Sequence, residues 1–182
     1  MELKETAVNS EYKFNGRVIN LRFDEVELPN GARSTREIVE HNGGVCVLAI
    51  DDDKSVTLVR QYRHPYHTTV LEVPAGKLEK GEDPLSAGKR ELREEVGLIA
   101  ADYTDIGRLY PSPGYTEEII YMYLATNLTA TDTDPDDDEF LEIVKMPLAD
   151  AVALVMDGTI KDAKTQAALL KAHLILKENE KR

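Results

Sequence analysis

Residues Gly76–Leu98 read GKLEKGEDPLSAGKRELREEVGL, and the spacing predicts one helix with two chemically different faces. Asp83 offers an N-cap acceptor, and Pro84 takes the first helical position, where a missing N–H costs nothing. Gly97 stands where a left-handed residue ends a helix, so the segment from Pro84 to about Val96 is expected to be helical. Leu85, Gly88, Leu92 and Val96 recur at spacings of three and four and make an apolar stripe. Glu91, Glu94 and Glu95 fall on another face, where carboxylates three and four residues apart repel one another unless something cationic neutralises them. Hard divalent cations with oxygen ligands, Mg²⁺ or Mn²⁺, suit such a face. A glutamate-rich stretch by itself is usually a solvated surface. Such a surface has no need of Gly76, Glu82 and Gly97 at fixed offsets. Arg90 is within reach of Glu94 one turn on and of Glu82, and is read as an organiser of the carboxylates rather than a ligand.

The chain of 182 residues is long enough for one well-buried core and short for two ordinary domains. Twenty-two basic against thirty-four acidic residues give a net charge of −12, which argues against a nucleic-acid partner, since phosphate contacts need a basic surface. No apolar run is long enough to span a membrane, and the opening MELKETAVNSEYK has no apolar signal core, so a cytoplasmic protein is expected. Cys46 is alone in an apolar run. It is read as a buried core thiol.

Outward from the quoted segment, Gly43 to Ile50 and Ser55 to Tyr62 read as core strands joined by a turn at Asp51 to Lys54. Val70 to Val73 leads into Pro74-Ala75-Gly76. Upstream, Tyr12 to Leu28 and Thr35 to Glu40 flank Pro29-Asn30-Gly31 and predict a β-hairpin. Downstream, Asp105 to Tyr110 and Glu118 to Asn127 read as strands on either side of the turn-rich Pro111-Ser112-Pro113-Gly114. Thr131 to Glu139 is an acidic loop, Phe140 to Met146 a last strand, and helices are expected over Leu148 to Met156 and Asp162 to Lys177. This order of elements points to an α/β (α+β) sandwich rather than a doubly wound sheet. Residues 1–42 form an N-terminal β-hairpin region with too little apolar content to fold alone, and 43–182 the main domain.

Gly76, Glu82, Arg90, Glu91, Leu92, Glu94, Glu95, Gly97 and Leu98 together match the pattern G-x5-E-x7-R-E-U-x-E-E-x-G-U, where U is a bulky aliphatic. With seven fixed types at roughly 7% per position and two looser sites, a chance match is on the order of 10⁻⁹ per starting point. The segment resembles the Nudix box, which implies a metal-dependent hydrolase of nucleoside diphosphates linked to another group. The resemblance also implies an α/β/α sandwich with a mixed sheet. Three further stretches resemble the ADP-ribose pyrophosphatase branch of that family: Arg36 to His41, Arg60 to Arg63 leading to Leu71 to Gly76, and Ser112 to Glu118. The resemblance marks that branch by a proline about 15 residues beyond the box glycine Gly97, and Pro111 and Pro113 bracket the position.

The resemblance implies that two or more Mg²⁺ (or Mn²⁺) ions are held by Glu91, Glu94 and Glu95 and by the backbone carbonyl of Ala75. Gly76, Glu82, Arg90 and Gly97 would shape that site. It implies a loop carboxylate as general base, for which Glu139 is the first choice and Asp137 the second. Arg36, Glu37, Arg63, Ser112, Gly114 and Glu118 are the expected substrate contacts, and a planar guanidinium such as Arg63 suits bidentate phosphate recognition. The implied reaction converts ADP-ribose and water to AMP and ribose 5-phosphate. Another nucleoside diphosphate sugar is the alternative substrate, and a non-catalytic ADP-ribose-binding regulator a more distant one. The N-terminal region would build a homodimer that brings Arg36 to the substrate.

Overall fold

The computed structural model describes residues 2–135 and 139–179. Its contacts fall into two units, Met1–Gly43 with Tyr110–Ile119, and Gly44–Leu109 with Ile120–Arg182.

In the first unit, β1 (Thr6–Asn15), β2 (Ile19–Glu27) and β3 (Arg33–His41) form an antiparallel sheet in that order. The expected hairpin is the β2–β3 pair. Gly31, at a positive φ of 82°, closes the turn by donating to the Leu28 carbonyl at 2.9 Å, and Asn30 accepts from the Ala32 N–H at 3.0 Å. The run from Tyr12 to Leu28 is not one strand, however. It breaks at Gly16, whose N–H bonds the Ile19 carbonyl at 3.0 Å and where a Cβ would lie 2.5 Å from the Phe14 ring. The preceding strand, β1, is exposed along its whole length, so it carries no buried-face alternation to betray it. The segment Ser112–Glu118 belongs to this unit too: Tyr115 accepts from the Val39 N–H at 2.7 Å, and Glu117 donates to the Val39 carbonyl at 3.0 Å.

The second unit holds β4 (Gly44–Ile50), β5 (Ser55–Arg63), β6 (Thr68–Glu72), β7 (Ala75–Lys77), α1 (Pro84–Val96), β8 (Leu98–Leu109), β9 (Ile120–Ala130), β10 (Leu141–Pro147), α2 (Leu148–Met156) and α3 (Ala163–Asn179). The sheet runs β10-β5-β4-β9-β8, with β6 on β5 and β7 on β4. The β4–β9 pair is parallel and the others antiparallel, so the sheet is mixed. Every residue of β4 is buried, as an uninterrupted apolar strand covered on both faces should be. Val45, Val47 and Ala49 pack with Ala87, Leu92 and Val96 of α1. Cys46, Leu48 and Ile50 pack with Leu148, Ala151, Leu169 and Ala172 of α2 and α3. The result is the expected α/β/α sandwich. Burial pushes the Cys46 thiol up to about 12, consistent with an inert core residue.

Strand β8 begins directly after Gly97 and runs twelve residues, well upstream of the expected Asp105. A bulge at Asp105–Gly107, where Asp105 accepts the Gly107 N–H at 2.6 Å, interrupts its alternation and hid the longer strand. No helix among the described residues is long and apolar enough to cross a membrane.

Candidate active site

Helix α1 starts and stops as its sequence requires. Asp83 accepts from the Ser86 N–H at 2.9 Å, and Gly97 ends the helix at φ 62°, donating to the Arg93 carbonyl at 2.9 Å. Gly88 lets the helix lie close on β4: a Cβ there would sit 3.0 Å and 3.1 Å from the Cγ2 atoms of Val47 and Val45. That close seat carries Glu91 and Glu95 out of solvent, and they are only 8% and 3% exposed. Glu94 stays half-buried.

Each carboxylate has a partner, and Arg90 serves more than one of them. Glu95 accepts the Ala75 N–H at 2.9 Å. Arg90 reaches Glu91 at 2.8 Å, Glu94 at 3.0 Å and Glu82 at 3.3 Å and 3.4 Å, and Glu82 in turn accepts the Glu79 N–H at 2.9 Å. Arg90 therefore contacts Glu94 and Glu82, as the spacing implied, and Glu91 as well. Among the described residues no three acidic, histidine or cysteine side chains converge at metal-ligand spacing. Arg90 stands between Glu91 and Glu94, and Arg93 also draws on Glu94 at 3.4 Å. Glu91 and Glu95 remain as a buried pair one turn apart.

Burial pushes the Glu95 carboxyl up to about 8, with Glu91 and Glu139 adding to the rise against the Ala75 N–H. Burial likewise raises Glu91, offset by Arg90 and reinforced by Glu94 and Glu139. Two desolvated carboxylates at close range are poorly tolerated without positive charge. Gly76 adds a steric clue, because a Cβ on it would run into the Glu91 carboxylate, so only glycine lets the backbone pass there. Hard oxygen donors, a buried excess of acid and a backbone cleared of side chain fit a divalent cation held by Glu91, Glu95 and the Ala75 carbonyl. Gly76→Ala is expected to weaken Mn²⁺ binding by about tenfold or more, as disturbance of a ligand's support does. Calorimetric titration checks this, and unchanged affinity would contradict it.

The acidic loop begins against α1: Asp134 donates its N–H to the Glu94 carbonyl at 3.0 Å and its carboxylate takes Arg93 at 3.3 Å. Glu139 is exposed and lines an open groove of about 510 Å³ with Glu95, Tyr62, Arg60 and Phe140. Asp137 lies outside the described residues. Arg63 binds Glu72 with two bonds, 2.6 Å and 2.8 Å, and only its Nη1 has no hydrogen-bond partner among the described residues. In the first unit, Arg36 holds Glu5 at 2.9 Å and 2.5 Å, Glu37 is exposed opposite Phe23, and Glu118 is 3.8 Å from His41. Ser112 accepts from the Tyr115 and Thr116 N–H groups at 3.2 Å and 3.1 Å, and Gly114 has open space around it.

Sequence reading missed Glu72, which is 2% exposed and shared by Arg63 and Lys164. Its signal was available: an acid between Leu71 and Val73, in an apolar strand, needs a buried cation.

With this geometry in view, residues 40–169 match the model of the NUDIX domain, and residues 5–39 match that of the nucleoside diphosphate sugar hydrolase N-terminal domain. The chain belongs to the NUDIX family. An ADP-ribose pyrophosphatase of Bacillus subtilis (strain 168) is 44% identical to this Nudix chain over 178 residues, covering 97% of it and 95% of the relative. A methanol dehydrogenase activator of Bacillus methanolicus is 40% identical over 168 residues, covering 91% of each. A crystal structure of an ADP compounds hydrolase matches with a TM-score of 0.85 at 27% identity, over 98% of both chains.

Proposed function

We propose that this Nudix protein hydrolyses ADP-ribose to AMP and ribose 5-phosphate, using divalent cations held at the box. The observation that carries the reading is the complete box, with Glu91 and Glu95 buried beside Ala75, in a chain 44% identical almost end to end to an ADP-ribose pyrophosphatase. A regulator that had given up catalysis would have no use for this buried acid pair.

Glu91, Glu94, Glu95 and the Ala75 carbonyl would hold Mg²⁺ or Mn²⁺, two or more ions per site, with Arg90 keeping Glu94 and Glu82 oriented. Bound divalent cations supply the charge that neutralises a diphosphate and acidifies a water. Glu139 takes the proton from the attacking water: it lies near enough to Glu91 and Glu95 to raise both, yet it faces an open groove and keeps its lone pairs. Arg63 offers Nη1 to the diphosphate while Glu72 fixes its guanidinium plane. Arg36, Glu37, Ser112, Gly114 and Glu118 contact the nucleoside or ribose, with Arg36 exchanging Glu5 for the substrate. The protein works as a cytoplasmic homodimer. Exposed Val8, Tyr12 and Phe14 on β1 supply apolar surface for a second copy.

The match of residues 5–39 to a nucleoside diphosphate sugar hydrolase domain favours a second substrate reading, another sugar nucleotide. A panel of ADP-ribose, ADP-glucose and GDP-mannose with Mg²⁺ separates the two, with products resolved by anion exchange. ADP-ribose is expected to give the highest kcat/KM, with AMP and ribose 5-phosphate in equal amounts. Intact ADP-ribose at micromolar enzyme would overturn the proposal. Light scattering that found only monomer would remove the dimer.

A further inference from the structure

The chain from Glu72 to Ala75 is anchored at every residue, and two of those four residues are held from α3. The Glu72 carboxylate is taken by Arg63 and by Lys164, which is itself 8% exposed and also contacts Asp162 at 3.1 Å. The Val73 N–H donates to the Thr165 hydroxyl at 2.9 Å. The Pro74 carbonyl accepts from the Val47 N–H at 2.9 Å, and the Ala75 N–H is on Glu95. Consecutive residues of α3 thus grip consecutive residues of the segment that delivers Ala75.

Thr165 is fully buried. Its hydroxyl has a fixed direction: it accepts from Val73, whose N–H can only donate, and donates at 2.5 Å to Asp162, whose carboxylate can only accept. Capping α3 does not require that hydroxyl, because Asp162 already accepts the Thr165 N–H at 2.9 Å. Valine would fill the same space. What the hydroxyl does that valine cannot is satisfy the Val73 N–H, two residues before Ala75.

We propose that Thr165 is a positioning residue for the cation site, its buried hydroxyl fixing Val73 and so the place of Ala75. The inference rests on the reading of Ala75, Glu91 and Glu95 as cation ligands. Thr165→Val leaves the Val73 N–H unpaired and lets the segment shift, whereas Thr165→Ser keeps the hydroxyl.

The test is Mn²⁺ titration by calorimetry on the full chain, together with the Mg²⁺ dependence of ADP-ribose turnover. Thr165→Val is expected to weaken Mn²⁺ binding about tenfold. It should raise the Mg²⁺ needed for half-maximal rate by the same factor while KM for ADP-ribose stays within about twofold, with Thr165→Ser near wild type on both counts. Wild-type affinity in Thr165→Val, with or without lower thermal stability, would overturn the proposal, as would failure of Thr165→Ser to restore affinity. Should Thr165→Val not fold, Thr165→Ala removes the same hydroxyl and is expected to cost the same affinity; no change would overturn the proposal. Wild-type protein that binds no Mn²⁺ would sink the cation site itself and this inference with it. Normal wild-type binding with an insensitive Thr165→Val sinks only the inference.

Discussion

Glu95→Gln is expected to lower ADP-ribose turnover by about 10³-fold, the scale on which removal of one preorganised charged group acts, while the chain still folds. Glutamine retains an oxygen to accept the Ala75 N–H, so the contact that seats Glu95 survives the substitution. The carboxylate charge does not. Stability gives a second readout in metal-free protein kept in chelator. The wild-type carboxyl is pushed up to about 8, chiefly by burial, from an ordinary value of 4.5. The unfolded chain therefore gives up this proton at a lower pH than the folded chain, and wild type loses stability as pH rises from about 4.5 through 8. Glutamine has no such proton, so the variant gains on wild type across that window and the gap is constant above it. Full turnover in Glu95→Gln, or a variant that loses stability relative to wild type as pH rises from about 4.5 to 8, would contradict this prediction.

Glu72→Gln is expected to destabilise the protein by about 3–5 kcal/mol, because it leaves Lys164 buried with a single acidic partner, Asp162. For a chain of this size that is a fall in Tm of roughly 6–20 °C. The sign of the pH dependence is opposite to that of Glu95. Burial alone would raise the Glu72 carboxyl, but Arg63 and Lys164 outweigh it and hold the group below the ordinary carboxylate range. Its contribution is therefore complete above the unfolded value and is lost as pH falls through the folded one. The difference in Tm between wild type and Glu72→Gln should be largest near neutrality and shrink in acid. A difference that stayed constant from pH 7 to pH 3 would mean that Glu72 is not held as an ion.

These two glutamates also mark how far the sequence could be read. Glu95 was legible because the helix carries its own punctuation, Asp83-Pro84 at one end and Gly97 at the other, and because a 3.6-residue period assigns each side chain to a face. Burial of that face was not legible. It follows from Gly88 letting α1 settle onto Val45 and Val47, a tertiary contact between segments some forty residues apart. Glu72 was harder, since its partners Arg63 and Lys164 lie far from each other along the chain and only the sheet and α3 bring them together. Strand and helix order pointed to a sandwich, and the resemblance to the Nudix box supplied its α/β/α form with a mixed sheet. Strand β1 did not follow, being exposed throughout, and neither did the early start of β8, where a bulge broke the alternation. The acidic segment near Glu139 offered several equivalent carboxylates and no periodicity by which to choose among them.

The proposed function requires that Glu91, Glu95 and the Ala75 carbonyl share a divalent cation. Anomalous diffraction from crystals grown with Mn²⁺ and a non-hydrolysable ADP-ribose analogue tests this most directly. A manganese peak within ligand distance, about 2.0–2.3 Å, of both carboxylates and that carbonyl is the expected result. Full occupancy of the analogue with no manganese between those groups would contradict it.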